Sequence, residues 1–255
     1  MRIINFYLFF VLVLISFDSF SQKYELKSFN EFDTHCVNFN PTETIAVFDI
    51  DNTLVRQKHI LLDENDDLVL EYSEFCEKLI QKKGMKFIKF WDFLRDKVHQ
   101  LFPRQYIWVE AQIPNFIKKL QNEGVSVITC TASTLAEGDE RLILLNEAEI
   151  DLTKHFIDIH HYPFFYSGDF FHPGHTSSKN KAEKIDEVVR ILNEKRSESG
   201  QNLINTVLFF DNREDHADHV SKTIKSIPNV HSFYYTYIKH SLNVDEIYEE
   251  IKYID

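Results

Sequence analysis

Two aspartates one residue apart, Asp49 and Asp51, follow the apolar run Ile45–Phe48 and precede Asn52, Thr53 and Leu54. The apolar run reads as a buried strand. On an extended chain the Asp-x-Asp spacing puts both carboxylates on one face. Two carboxylates at the edge of a core are costly unless something neutralises them. A divalent cation would do so. So would a phosphoryl chemistry that uses one carboxylate as nucleophile and the other as acid. The plainer reading is a strand that ends in an Asp-Asn turn.

Three later stretches carry matching chemistry. Val125–Cys130 is a second apolar run and leads into Thr131, Ala132 and Ser133. A hydroxyl and the backbone N–H groups of such a turn are donors for an anionic oxygen. A helix N-cap is the alternative role, and Thr129, within the strand, is the weaker competitor. Lys179 and Lys181 both stand where a helical pattern begins, and it runs from Asn180 to Ser197. A lysine there could offset carboxylate and phosphate charge, or lie solvated on an amphipathic helix. Thr206–Phe210 is a third apolar strand, followed by Asp211, Asn212, Arg213, Glu214 and Asp215.

In this order the pieces resemble the four motifs of the haloacid-dehalogenase-like (HAD) phosphatase superfamily. Asp49-Ile50-Asp51-Asn52-Thr53 is similar to its first motif, Thr131 to its second, Lys181 to its third and Asp211–Asp215 to its fourth. Lys181 fits the family register better than Lys179, because Ala182 follows it and Ile185 lies four residues on. The resemblance implies a Mg²⁺-dependent phosphatase acting on small phosphate monoesters. In it Asp49 is the nucleophile, forming an aspartyl-phosphate, and Asp51 is the acid and then the base. Thr131, Ala132 and Lys181 would bind the phosphoryl group. Asp49, Asp51 (through its carbonyl), Asp211 and Asp215 would serve the metal. Asn212 stands where the family often has a second Asp. The motif order and the aromatic segment 162–174 also resemble an uncharacterised bacterial exported branch of the superfamily.

Two other readings stay open. One is a binding or effector protein that keeps the fold without turnover. The other is a zinc-dependent hydrolase using His160, His161, His172 and His175, or His216 and His219. Cys130 could be a nucleophile or, more plainly, a small core residue.

The elements that must position these groups alternate between strand and helix, which argues for an α/β fold with a mostly parallel sheet flanked by helices. The HAD resemblance sharpens this to a Rossmann-like sheet with a small helical cap inserted after the first strand. Ligands in such sheets bind beyond the C-terminal strand edge, the edge that collects Asp49, Thr131 and Asp211. Residues 56–112 form the insertion, with helical spacing over 68–81 and 87–102. Residues 22–44 read as a lead-in covering an edge of the core. Further helices are expected from Ile113 to a cap at Gly124, over 138–149 and over 244–253. A short strand is expected at Phe156–Ile159, a hairpin or lid over 162–174, and a last strand over 231–238.

Composition bounds the rest. A 255-residue chain with 44% apolar residues suits one α/β domain with an insertion. The formal net charge of −12 disfavours nucleic-acid binding. Arg2 followed by an uncharged stretch to Phe17, with small residues before Gln22, reads as an export signal over residues 1–21. Residues 22–255 are then a periplasmic or secreted domain with no stable membrane span. An uncleaved anchor and a buried helix are the alternatives. Cys36, Cys76 and Cys130 form no disulfide framework, though Cys36 and Cys76 could pair.

Overall fold

A computed structural model describes residues 20–58, 105–133, 140–167, 170–172 and 174–237. The strands are β1 (Phe20–Leu26), β2 (Thr44–Phe48), β3 (Val55–Gln57), β4 (Tyr106–Trp108), β5 (Ser126–Thr131), β6 (Phe165–Ser167), β7 (Phe170–His172), β8 (His175–Ser177), β9 (Thr206–Asp211) and β10 (Asn229–Tyr235). The α-helices are α1 (Ile113–Glu123), α2 (Glu140–Glu147), α3 (Lys181–Glu198) and α4 (Glu214–Thr223). Among the described residues, one sheet has the order β1-β10-β9-β2-β5-β8, and every neighbouring pair is parallel. The fold is therefore α/β with a parallel sheet flanked by helices, as expected. Among the described residues no helix is long and apolar enough to cross a membrane.

Period-two alternation sorts the central strands onto two faces. Ala46, Phe48, Val127, Leu208 and Phe210 face α1, α2 and the short 3₁₀ helix Phe29–His35. Ile45, Val47, Ile128, Cys130, Val207 and Phe209 face α3 and α4. Burial on both faces is why these strands read as unbroken apolar runs. The first face carries an aromatic ladder across four adjacent strands. Phe48 stacks on Phe210 at 4.6 Å, Phe210 on Phe233 at 4.7 Å, and Phe233 on Tyr24 at 5.1 Å. The strand register places each of these pairs directly opposite. Two rungs immediately precede Asp49 and Asp211, so the ladder fixes the height at which both carboxylates leave the sheet.

Several expectations change. Residues 22–44 are more than a lead-in. Their first part is the edge strand β1, which pairs with β10 and begins at Phe20, inside the stretch read as an export signal. Phe156–Ile159 is no strand: Asp158 has φ 54°, which breaks an extended chain, and a 3₁₀ turn follows at Ile159–His161. Phe156 instead packs edge-on against Tyr162 and Phe164. β8 extends the sheet beyond β5. The hairpin expectation is met by the antiparallel β6–β7 pair. Gly124 closes α1 in the left-handed region, as a C-cap does. At the base of the insertion, β3 and β4 pair antiparallel. The helical patterns over 68–81, 87–102 and 244–253 lie outside the described residues, as do Cys76 and the stretch 1–19.

Candidate active site

Parity along the strands decides where the charged groups go. Asp49 continues the side of Val47, and Asp211 the side of Phe209, so both face α3. The first residue of α3 is Lys181, whose Nζ donates to Asp49 Oδ1 and to Asp211 Oδ2, each at 2.6 Å. All three are buried, with 5%, 0% and 2% of Asp49, Asp211 and Lys181 exposed. Asn180 starts the helix by accepting the Glu183 N–H on its side chain, which fixes the lysine's position. Lys179 is exposed, so of the two candidates Lys181 is the one that reaches the carboxylates.

Two carboxylates share one ammonium in this cluster, so with both ionised there is one negative charge more than Lys181 offsets. Burial, with repulsion from Asp211 and Asp51, pushes Asp49 up to about 7 against the pull of Lys181. Burial acts on Asp211 in the same sense, but Lys181 and His216 outweigh it and hold that carboxyl below its usual range. Burial disfavours the charged Lys181, yet the two carboxylates keep its ammonium firmly protonated.

Asp211 is further anchored by the Arg213 N–H at 2.8 Å and by His216 Nδ1 at 3.1 Å. Asp49 takes the Thr53 hydroxyl at 3.3 Å, and that hydroxyl accepts the Asn212 N–H at 3.0 Å. Thr53 thus ties the loop after β2 to the loop after β9.

The structure separates Asp51 from Asp49. β2 ends at Phe48, and residues 50–54 coil into one tight turn with Asn52 at φ 60°. The Leu54 and Val55 N–H groups donate to the Ile50 carbonyl in that turn. The two carboxylates therefore do not share a strand face as the spacing suggested. Asp51 lies across β5, where Oδ2 accepts from Thr131 Oγ1 at 3.2 Å and Ser133 Oγ at 3.0 Å. Arg141 Nη1 is 2.9 Å from both of its oxygens. Thr131 also accepts the Ser133 N–H at 3.0 Å, across the exposed turn residue Ala132. Thr129 lies 2.7 Å from His175 Nδ1, away from the aspartates.

Asp215 stands apart: its exposed carboxylate pairs with Arg213 at 2.8 Å, and that bond lowers its pKa. Among the described residues four histidines face separate partners, and the side chain of His172 lies outside the description. His161 faces Asp158, His175 faces Thr129, His216 faces Asp211 and His219 faces Asn180. Among the described residues no group of three or more His, Cys, Asp or Glu side chains is gathered for a metal. Cys130 is buried in the core on the α3 side, and burial pushes its thiol up to about 11, which suits packing rather than attack.

Sequence reasoning placed Ser133 in the turn after β5 without its bond to Asp51, and missed Arg141 and the contact of His216 with Asp211. A signal for Arg141 was present: it lies four residues before Leu145, so it shares the buried face of α2. Nothing in the spacing marked Ser133 apart from an ordinary turn residue.

The chain belongs to the family described as protein of unknown function (DUF2608), which matches residues 25–255. No curated protein matches the sequence.

Proposed function

We propose that the protein is a Mg²⁺-dependent phosphatase of the HAD type that hydrolyses small phosphate monoesters through an aspartyl-phosphate. One observation carries this reading: Asp49 and Asp211, from adjacent strands, meet the buried Lys181 at the C-terminal sheet edge. The donor set suits Mg²⁺, a hard cation that takes few protein carboxylates and keeps several waters. The cluster's uncompensated charge gives the cation an electrostatic reason to bind. Asp49, Asp211 and the Asp51 carbonyl would hold it, and Asp215, occupied by Arg213, is left out. Bound there, Mg²⁺ would neutralise phosphate charge and lower the cost of ionising Asp49.

The chain's own groups then divide the work. Asp49 attacks phosphorus, with Thr53 and Lys181 fixing its carboxylate. Lys181 draws the phosphoryl oxygens toward the nucleophile. The turn at Ala132 supplies a further backbone donor, while the Thr131 hydroxyl is engaged by Asp51. Asp51 gives a proton to the leaving oxygen and afterwards takes one from the attacking water.

Phosphate release from a panel of small monoesters, with and without Mg²⁺, tests the reading. Wild type should release phosphate only with the metal, and Asp49→Asn should release none while melting as a folded protein. Equal release by both would sink it.

A further inference from the structure

Arg141 is a buried charge in contact with the site that the mechanism above leaves without a task. Only 7% of it is exposed, and its helix turns Leu142 and Leu145 into the same core. Burying a guanidinium is costly, and a buried ion pair is seldom the cheapest way to stabilise a fold. The geometry is more informative than the energy. Asp51 lies beyond the end of its strand, on a turn, with 35% of its side chain exposed. A carboxylate in that position has little to fix its torsion angles. Arg141 brackets both of its oxygens at 2.9 Å, and the Thr131 and Ser133 hydroxyls hold one of them from β5 and its turn. These donors come from two elements rooted in the core, so they set the orientation of the carboxylate rather than merely its charge.

We propose that Arg141 is the positioning residue for Asp51 and that this clamp specialises the site for phosphate esters of alcohols. The inference rests on the phosphatase reading. As the bond from Asp49 to phosphorus forms, the ester P–O bond breaks and its electron pair stays on the ester oxygen. That oxygen takes the proton of the Asp51 carboxyl, the alcohol leaves, and Asp51 becomes the carboxylate that Arg141 pairs. Water then attacks phosphorus and gives its proton to Asp51. The bond to Asp49 breaks, and inorganic phosphate departs. An alkoxide is a poor leaving group, so an alcohol ester needs a well-aimed proton. A nitrophenolate leaves with little help. Misaiming Asp51 must therefore slow departure of the two leaving groups unequally, while it slows hydrolysis of the shared aspartyl-phosphate alike for both.

The test compares glycerol phosphate with p-nitrophenyl phosphate, each with Mg²⁺, for wild type, Arg141→Gln and Arg141→Lys. A positioned acid and base contributes ~10²–10⁴-fold. Arg141→Gln should lose about 100-fold in kcat/KM on the alkyl ester and at least tenfold less on the aryl ester, since kcat/KM reports departure of the alcohol and not the shared hydrolysis of the aspartyl-phosphate. Arg141→Lys, which keeps charge without the fork, should fall between and carries the comparison if the glutamine variant does not fold. In an Asp51→Asn background, Arg141→Gln should cost nothing further on the alkyl ester. Equal losses on both esters, or a full further loss in that background, would overturn the positioning role. Wild type that turns over neither ester overturns the phosphatase reading itself, and this inference with it.

Discussion

Asp49 is a carboxylate that the fold makes costly to ionise. Its pKa of about 7 arises first from burial and then from the neighbouring Asp211 and Asp51, against the opposing pull of Lys181. The raised value has a signed consequence for stability. Between the ordinary carboxylate range near pH 4 and about pH 7, the folded chain holds a proton that the unfolded chain has released. Metal-free protein should therefore lose stability as pH rises through that window, by up to ~1.4 kcal/mol per pH unit, and level off above it. The lowered pKa of Asp211 acts below the window and does not blur it. Melting curves in EDTA from pH 4 to 8 should show this fall in wild type and its absence in Asp49→Asn. A slope that survives the substitution would place the titrating group elsewhere. Added Mg²⁺ should raise the wild-type melting temperature most at the alkaline end, where no proton competes for the carboxylate.

At the scale of elements, the aromatic ladder links core packing to the site. Phe210 stacks between Phe48 and Phe233 and also meets Phe29, Phe32 and Phe116. Phe210→Ala should cost about 3–5 kcal/mol by chemical denaturation, since a buried phenyl leaves a cavity. It should also weaken Mg²⁺ binding, raising the concentration needed for half activity, because Asp211 is the next residue. A stability loss below ~1 kcal/mol would mean that the ladder is not a support. The three strands that feed this region, β2, β5 and β9, were legible because burial on both faces leaves a continuous apolar run. β3, β4 and β8 have three residues each, too few for any period to register. β1 mixes Gln22, Lys23 and Glu25 among its residues, because an edge strand exposes part of its surface. Asp49, Lys181 and Asp211 could be read because each stands beside a clear strand end or helix start. Spacing from Leu145 puts Arg141 on the buried face of α2, but its meeting with Asp51 follows from tertiary packing, which no local pattern states.

At the scale of the whole molecule, the question is what the insertion does. The β3–β4 ribbon brings its two ends together: the Lys58 N–H donates to the Gln105 carbonyl at 2.7 Å. Lys58 Nζ reaches Gln105 Oε1 at 3.1 Å as well. The Val109 N–H then bonds the Leu54 carbonyl at 2.9 Å, and buried Glu110 accepts from Phe29 N–H at 2.9 Å and Tyr235 Oη at 2.5 Å. The chain on both sides of the insertion is thus fastened to the core independently of what lies between. Replacing residues 59–104 with a short Gly/Ser linker should leave the sheet folded, since loop length alone changes closure entropy only slowly. If the insertion covers the Asp49 site, as its place after β2 suggests, the shortened protein should accept bulkier phosphate esters. It should also turn over small ones more slowly, because an uncovered site admits water and weakens the attraction between Lys181 and phosphate. Rates on glycerol phosphate and on a phosphopeptide, before and after excision, measure this. A folded, shortened protein with the parent's selectivity would show that the insertion serves something other than the site.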